Sequence, residues 1–527
     1  MLVYGDHSES VDPRERLRTL SEDIGAVVVM PAGIERHSNL VGALIDAGQL
    51  QQGVEDAGCR SAELAAIVHG LAAATIRSWD SGYAAVGELS APPALDLPQR
   101  VELRLPEGFA FYAVYPEAYI SAARRLRLSG PARVIGIRSI GTTLGAMVAA
   151  ALGAPPAITV RPFGDPFARQ IELRPDAIVD GAHYVIVDEG PGLSGSSFGA
   201  TADALEQRRV PLERIAFLPS HGGDPGPHAS EAHRRRWSKA QRVAAKFDPS
   251  FLVKLFGPLD EFSNGDPFER RKYLATKNGG RLLLKFAGLG SIGERKLQMA
   301  RTLSAAGLAP EPLGLAHGFL VERWRSDARP LAPNDKPVEE IGRYIGTRAR
   351  MFPADQDSGA TIEQLAEMCR RNISLALGES AAALFDAQEF RALHRYGRVR
   401  TDNKLDRHEW LRTADGRLLK TDALDHHQAH DLIGCQPVEW DVAGAITEFA
   451  LDAGESARLT DATGCRVDHA LLDLYRWAYA AFRLGQSQVA AELTGAAAAR
   501  QSANRYRRTI QLLLEGTCAR ETAGILG

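Results

Sequence analysis

The stretch from Val185 to Ala200, VIVDEGPGLSGSSFGA, constrains the possible folds of this chain more than any other. Tyr184, Val185, Ile186 and Val187 form an aromatic and β-branched run suited to a buried strand, and it stops at two acids, Asp188 and Glu189. A Gly190-Pro191-Gly192-Leu193 spacer then leads to Ser194, Gly195, Ser196 and Ser197. Carboxylates at the carboxyl end of a strand accept hydrogen bonds from a vicinal diol, while hydroxyls and N–H groups at a helix start hold a phosphate. The pattern predicts one site for a sugar and its phosphate; the plainer alternative is an ordinary strand-turn-helix crossover.

Around this stretch, from about Val101 to Ser220, strand and helix patterns alternate, which predicts a parallel α/β sheet. Phe109 to Tyr115 reads as a strand or its lead-in, Pro116 to Leu128 as a helix, Arg133 to Ile137 as a strand and Thr143 to Leu152 as a helix. Arg138 and Ser139, between the last two, stand where a glycine-bearing turn into a helix makes an anion cradle. Thr159 to Leu173 carries Arg161 and Arg169 on either side of a Gly-Asp-Pro turn; it reads either as a loop that closes over a ligand or as a surface hairpin with solvated arginines. Arg214 to Pro219 reads as the next core strand, and His221, beyond its end, is a candidate to touch an accepting group.

Asp188-Glu189, the spacer and the Ser194 to Ser197 loop resemble the phosphoribosyl diphosphate (PRPP) motif of type I phosphoribosyltransferases. The resemblance implies that Asp188 and Glu189 hold the ribose hydroxyls, that Ser194 to Ser197 bind the 5′-phosphate, and that Arg138 and Ser139 with Mg²⁺ neutralise the diphosphate. It also implies a closing hairpin at Arg161 to Arg169. The spacer is longer than the family's usual one and lacks its acid or threonine.

At 527 residues the chain exceeds one ordinary domain, since units of about 150 residues are the norm. Residues 1–95 are expected to form an α/β segment, with a strand-like Ala26 to Met30 and helices around Leu40 to Val54 and Ala62 to Trp79; His37 there reads as a capping or surface residue. Residues 96–232 make the parallel-sheet domain, and the basic run within 233–248 reads as a linker helix. A hydrophobic fraction of 45%, a charged fraction of 24% and a net charge of -3 describe a globular protein with no footprint for nucleic acid. No apolar run suits a membrane span, and the N-terminus lacks a basic-then-apolar leader. Five scattered cysteines with no CxxC pair suit a reducing, cytoplasmic setting.

The C-terminal half carries a second layout. Arg270 to Ala287 reads as two strands joined by an Asn278-Gly279 turn, with Lys285 in the second. A helix with Glu294 near its start follows, then strand candidates Pro312 to Ala316 and Gly318 to Trp324. This order, with GLAPEPLG and LVERW, resembles the small lobe of aminoglycoside-phosphotransferase-like kinases. The resemblance implies a small lobe over 249–325 and a large lobe with a helical tail over 326–527. It implies that Lys285, positioned by Glu294, binds ATP phosphates, that Asp402 is the catalytic base, and that Asp422 binds the nucleotide's magnesium, with His408 in the place of the family's second metal ligand. PVEWDVAG, Pro437 to Gly444, resembles a structural segment in which Asp441 braces the loop. Asp425 to Asp431 has two readings. His426 and His430 on one helical face, with Asp431, form a metal site of a His-Asp phosphohydrolase, or the segment is a polar loop of the kinase-like site.

The expected fold class is thus α/β plus α+β: a phosphoribosyltransferase-like domain followed by a two-lobed kinase-like domain. The expected function is transfer from PRPP or a related ribose phosphate coupled to an ATP-dependent small-molecule kinase, using Mg²⁺ and ATP. The alternative is a catalytically weak regulator that binds PRPP or nucleotide.

Overall fold

The helix Ile140–Ala151 begins almost immediately after the strand Ala132–Ile137, and this tight turn anchors a parallel sheet. Only glycine fits at position 136, because a Cβ there would lie 2.0 Å from the Gly141 carbonyl oxygen. In the computed structural model all residues are described except 6–7, 193, 264–269, 386–396, 429–430 and 526–527, with side chains described as far as Glu515. The sheet has the order Ile158–Val160, Ala132–Ile137, His183–Val187, Ile215–Leu218, Gln241–Arg242, all parallel. Gly136 pairs with Val187 across the two inner strands. The chain goes to one side of Ala132–Ile137 for its second strand and to the other side for the rest. Such a reversal opens a crevice beyond the strands' carboxyl ends.

Several local expectations change in the folded chain. Gln241–Arg242 is the fifth strand of the sheet, and Trp237 of the preceding helix Glu231–Lys239 stacks on Phe217 at 5.0 Å, so this basic stretch belongs to the sheet domain rather than linking two domains. Ala26 to Met30 is not a strand but the end of the helix Pro13–Val29 and its cap. Leu17, Leu20, Ile24 and Val27 bury one helical face, whereas Val28 and Val29 stay 52% and 82% exposed, which is a period near 3.6 and not 2. Phe109 to Tyr115 likewise forms a short helix, Glu107–Ala110, and a turn in which Ala113 has φ 52°.

The three N-terminal helices Pro13–Val29, Ile34–Asp56 and Ala62–Asp80 pack in a layer with Ile140–Ala151, and Ser8–Val11 pairs antiparallel with Val101–Arg104. Beyond residue 249 the first sheet is antiparallel, with order Pro312–Ala316, Phe319–Arg323, Gly280–Phe286, Lys272–Lys277, Leu259–Glu261, and the helix Gly290–Ala305 is inserted after its third strand. Asn278, with φ 53°, makes the predicted hairpin turn. One hydrophobic core runs unbroken from the N-terminal helices into this second sheet, through Tyr115, Phe247, Phe251, Phe286 and Phe319. Each fully buried ring of that kind contributes roughly 1.5–3 kcal/mol.

The remainder is a helical body with its own core, built from Val338–Met351, Ile362–Leu377, Glu439–Glu448, Ala453–Thr463, His469–Thr494 and Ala497–Ile525. A small sheet, Ala328–Pro330, Trp410–Thr413 and Leu418–Lys420, lies beside it. No helix among the described residues is long and apolar enough to cross a membrane.

Candidate functional site

At the crevice of the parallel sheet, Asp188 and Glu189 follow directly on the strand His183–Val187. Tyr119 donates to the Asp188 carbonyl at 2.9 Å, and the Asp188 carboxylate accepts the Glu189 N–H at 2.8 Å. Both carboxyls stay partly accessible, yet the dense surroundings strip away enough water to push Asp188 up to about 7 and Glu189 up to about 8. Asp188 and Glu107 add repulsion at Glu189. An acid pair held this short of counter-charge is suited to a diol, a divalent cation or a cationic sugar.

Ser194 and Gly195 lead into the helix Ser196–Gln207, whose first turn holds Ser196 and Ser197, and Gly195 takes the left-handed conformation, φ 64°. A Cβ on Gly195 would come within 2.4 Å of His233 Nε2, so glycine is required twice over. The Ser194 hydroxyl accepts the Ser196 N–H at 3.2 Å, and the following amides of Ser197 and Phe198 find no carbonyl within the helix. The hairpin carrying Arg161 and Arg169 folds onto this loop: Ser194 and Ser196 donate to the Pro166 carbonyl at 3.3 and 2.7 Å. That carbonyl sits where a phosphate oxygen would compete for the same hydroxyls. His221 reaches the crevice lip, its ring lying against Gly190, and its Nδ1 accepts the Gly223 N–H at 3.2 Å.

Arg138 and Arg161 are arranged differently from the expectation. Their guanidinium groups do not stand free for a diphosphate; Arg138 pairs with Glu55 at 2.8 Å and Asp56 at 3.0 Å, and Arg161 with Asp56 at 2.5 Å. The physical reason is the C-terminal turn of the helix Ile34–Asp56, which places two acids and Gln52 against both arginines. Arg169 bonds the Gly164 carbonyl of its own hairpin, at 2.8 Å. Ser139 precedes the helix Ile140–Ala151 without capping it.

The second constellation forms between the antiparallel sheet and the helical body. Lys285 donates to the Thr421 carbonyl at 2.7 Å and pairs with Glu322 at 3.3 Å. Glu294 is not its partner: that acid is exposed on the helix Gly290–Ala305 and feels Asp23 instead. The same helix sends the opposite charge inward, Lys296, which meets Asp425 at 2.9 Å. Asp422 keeps 33% of its side chain accessible, and His426 lies 3.8 Å from it. His426, not His408, is the imidazole beside Asp422; His408 is exposed and groups with Asp406 and Glu409. Burial alone would lower the His426 pKa, but Asp402 and Asp422 outweigh it and push it up to about 10.

Asp402 is wholly buried. It accepts the Tyr344 hydroxyl at 2.5 Å and lies 3.4 Å from Lys420 and 3.2 Å from His426. Burial would raise its pKa, but Lys420, His426 and Arg348 hold it down at about 2. Lys420 also bonds Glu409 at 2.7 Å, so one ammonium occupies the space between two acids. Asp441 accepts the Asp402 and Asn403 N–H groups at 2.8 and 3.0 Å, and Arg348 ties the Arg400, Thr401 and Ala423 carbonyls together, which fixes the loop. Residues 426–428, directly after Asp425, form a turn and not a helix; His430 lies outside the described residues.

Glu409, Asp422 and His426 bring one ligand atom each within 4.8 Å of one another. Glu409 is engaged by Lys420 and by Lys404 at 3.1 Å, so Asp422 is the carboxylate of the three-residue group more open to a divalent cation. In the first crevice the shortage of positive charge at Asp188 and Glu189 likewise fits a divalent ion.

No family model matches the chain, and no curated protein matches it. Among solved structures it is similar to the choline kinase LicA from Streptococcus pneumoniae, at 18% identity over 51% of this chain and 97% of that one, TM-score 0.38. It is also similar to spectinomycin phosphotransferase APH(9)-Ia in complex with ADP and spectinomycin (13%, 50% and 96%, TM-score 0.38). A third similarity is to macrolide 2′-phosphotransferase MphH from Brachybacterium faecium (15%, 49% and 98%, TM-score 0.33).

Proposed function

We propose that this chain binds a ribose phosphate such as PRPP at the parallel-sheet crevice and a nucleotide, ATP, at the Lys285–Asp422 site, with glycosyl transfer at the first and phosphoryl transfer to a small molecule at the second. The observation that carries the first half is the convergence of an under-compensated acid pair, Asp188 and Glu189, with a hydroxyl-rich helix start, Ser194 to Ser197, at the sheet's switch point. The acids accept the two ribose hydroxyls and favour positive charge as it builds on the anomeric carbon, where preorganised electrostatics count most. The hairpin around Pro166 keeps water out. Magnesium would supply charge neutralisation for the diphosphate, with Arg138 joining once released from Glu55 and Asp56.

For the second half, Lys285 stands between Glu322 and the Thr421 carbonyl next to Asp422, which suits a lysine that exchanges these partners for phosphate oxygens. Asp402 would orient the acceptor hydroxyl only once Tyr344 and Lys420, which enclose it here, give way.

A second reading, a PRPP- or nucleotide-binding regulator with little turnover, is favoured by one specific observation. Asp402 is sealed from solvent and neutralised by Lys420. Diphosphate release from PRPP and ATP consumption, each measured with candidate acceptors for wild type, Asp188→Asn and Asp422→Asn, separate the two. Binding of PRPP and ATP without turnover selects the regulator. Equal PRPP binding by wild type and Asp188→Asn sinks the ribose-phosphate assignment, and equal ATP affinity in Lys285→Ala sinks the nucleotide site.

A further inference from the structure

Three segments far apart in the chain meet at one wholly buried carboxylate. Glu117, from the helix Pro116–Arg124, accepts at Oε1 from His37 Nε2 at 2.9 Å and from His317 Nε2 at 2.7 Å. His37 belongs to the N-terminal helix Ile34–Asp56, and His317 to the turn between the antiparallel strands Pro312–Ala316 and Phe319–Arg323. The three side chains are exposed by 0%, 2% and 1%, so no water reaches them from outside. His37 is thus neither a cap nor a surface residue.

Four features make this more than a satisfied core histidine. Both imidazoles present the same ring atom, Nε2, to one point. Glu117 Oε2 and His317 Nδ1 have no hydrogen-bond partner among the described residues, which is costly for buried polar atoms. His37 Nδ1 bonds the buried Ser78 hydroxyl at 2.9 Å, the outer-ring contact that orients metal-bound histidines. His317 holds φ 43°, a backbone conformation that non-glycine residues keep only where their surroundings impose it.

We propose that His37, Glu117 and His317 bind one divalent first-row transition ion of the zinc type, which staples the N-terminal helices, the parallel-sheet domain and the antiparallel sheet together. Two imidazole nitrogens and a carboxylate are the donor set such ions take. Tetrahedral bonds of zinc length place donors about 3.3 Å apart, so the ion takes the place of the two bridging Nε2 protons, each neutral imidazole then carrying its proton on Nδ1, while the cluster opens by about 0.5 Å. The unpartnered Glu117 Oε2 supplies a ready second oxygen. Trp79 and Tyr83 flank the His37 ring at 5.9 and 4.9 Å, and Tyr115 and Phe251 flank His317 at 5.1 and 5.3 Å, leaving no approach for a substrate. The role is therefore structural.

The test uses the full-length chain, stripped with a chelator and then loaded with Zn²⁺ or Co²⁺. We expect about one tightly held ion per chain, the visible absorption of tetrahedral Co²⁺, and a higher melting temperature with Zn²⁺ than with chelator. Glu117→Gln and His317→Asn should lose the tight ion and the Co²⁺ spectrum, whereas Asp422→Asn, which alters the separate Glu409–Asp422–His426 group, should retain both. Should the variants not fold, the wild-type chain decides alone: a melting temperature indifferent to Zn²⁺ and chelator, with no tetrahedral Co²⁺ spectrum, overturns the proposal. So does a tight ion retained in folded Glu117→Gln, or one lost in Asp422→Asn.

Discussion

Lys420 sets its ammonium 3.4 Å from the Asp402 carboxylate, and neither side chain touches solvent. Glu409, 2.7 Å from the same nitrogen, makes Lys420 the internal counter-ion of two buried acids. Removing one member of a buried ion group leaves an uncompensated charge, which costs far more than the group contributes as a whole.

Lys420→Met should therefore destabilise the chain by about 3–5 kcal/mol, read from urea unfolding. Adding Asp402→Asn to Lys420→Met should recover part of that loss. If the double variant is as unstable as the sum of the singles, Lys420 and Asp402 are not energetically paired.

The acid pair of the first crevice gives a pH signature. Asp188 and Glu189 are held up at about 7 and about 8, chiefly by burial, against ordinary carboxyl values near 4. Groups whose pKa is raised by folding contribute stability below their unfolded pKa and lose it as pH rises through the folded value. Stability should thus fall between about pH 4 and 8 on their account. Asp188→Asn, which removes one charge, should raise the melting temperature at pH 8.5 and leave it nearly unchanged at pH 4.5. A melting temperature lowered equally at both pH values counts against a strained acid pair.

How far these sites could be read from the sequence depends on the distance between partners. Val185 to Val187 followed by two acids, and Asn278-Gly279 between apolar runs, are local signals, and the strands and the turn formed there. The pairing of charges is not local. Glu322 took the role expected of Glu294, because it lies diagonally from Lys285 on the neighbouring strand while Glu294 faces outward. The grip of Glu55 and Asp56 on Arg138 and Arg161 spans roughly a hundred residues, and nothing in either segment announces it. Two buried charges did leave a trace. Lys420 ends the otherwise apolar strand Leu418–Lys420, and Arg348 falls on the helical stripe of Ile341, Tyr344 and Ile345. A charge on a core face is the local mark of a buried network.

That grip predicts a gain rather than a loss. Asp56→Asn weakens the hold on Arg138 and Arg161 while leaving Glu55 in place. Ion pairs of this partly exposed kind are worth about 1 kcal/mol or less, so the affinity for inorganic diphosphate should rise by up to roughly fivefold in calorimetric titration, with little change in melting temperature. Unchanged or weaker diphosphate binding means that these arginines serve the helix contact alone.

The Ser194 to Ser197 loop separates a backbone requirement from a chemical one. Gly195→Ala forces an L-residue into φ 64° and drives a methyl group to 2.4 Å from His233, whose ring nitrogens have no hydrogen-bond partner among the described residues and whose ring is packed against Gly199 as well. The left-handed conformation alone costs roughly 1–2 kcal/mol, and the displaced imidazole adds to it. Gly195→Ala should lower the melting temperature and abolish ribose 5-phosphate binding together. Ser196→Ala removes only a hydroxyl that donates to the Pro166 carbonyl. It should leave the melting temperature within experimental error and weaken ribose 5-phosphate binding several-fold, because that hydroxyl is then missing from the anion's partners. If Ser196→Ala instead destabilises the chain and binds the ligand normally, the hydroxyl's role is to fasten the hairpin, and the phosphate is held by the helix amides of Ser197 and Phe198 without it.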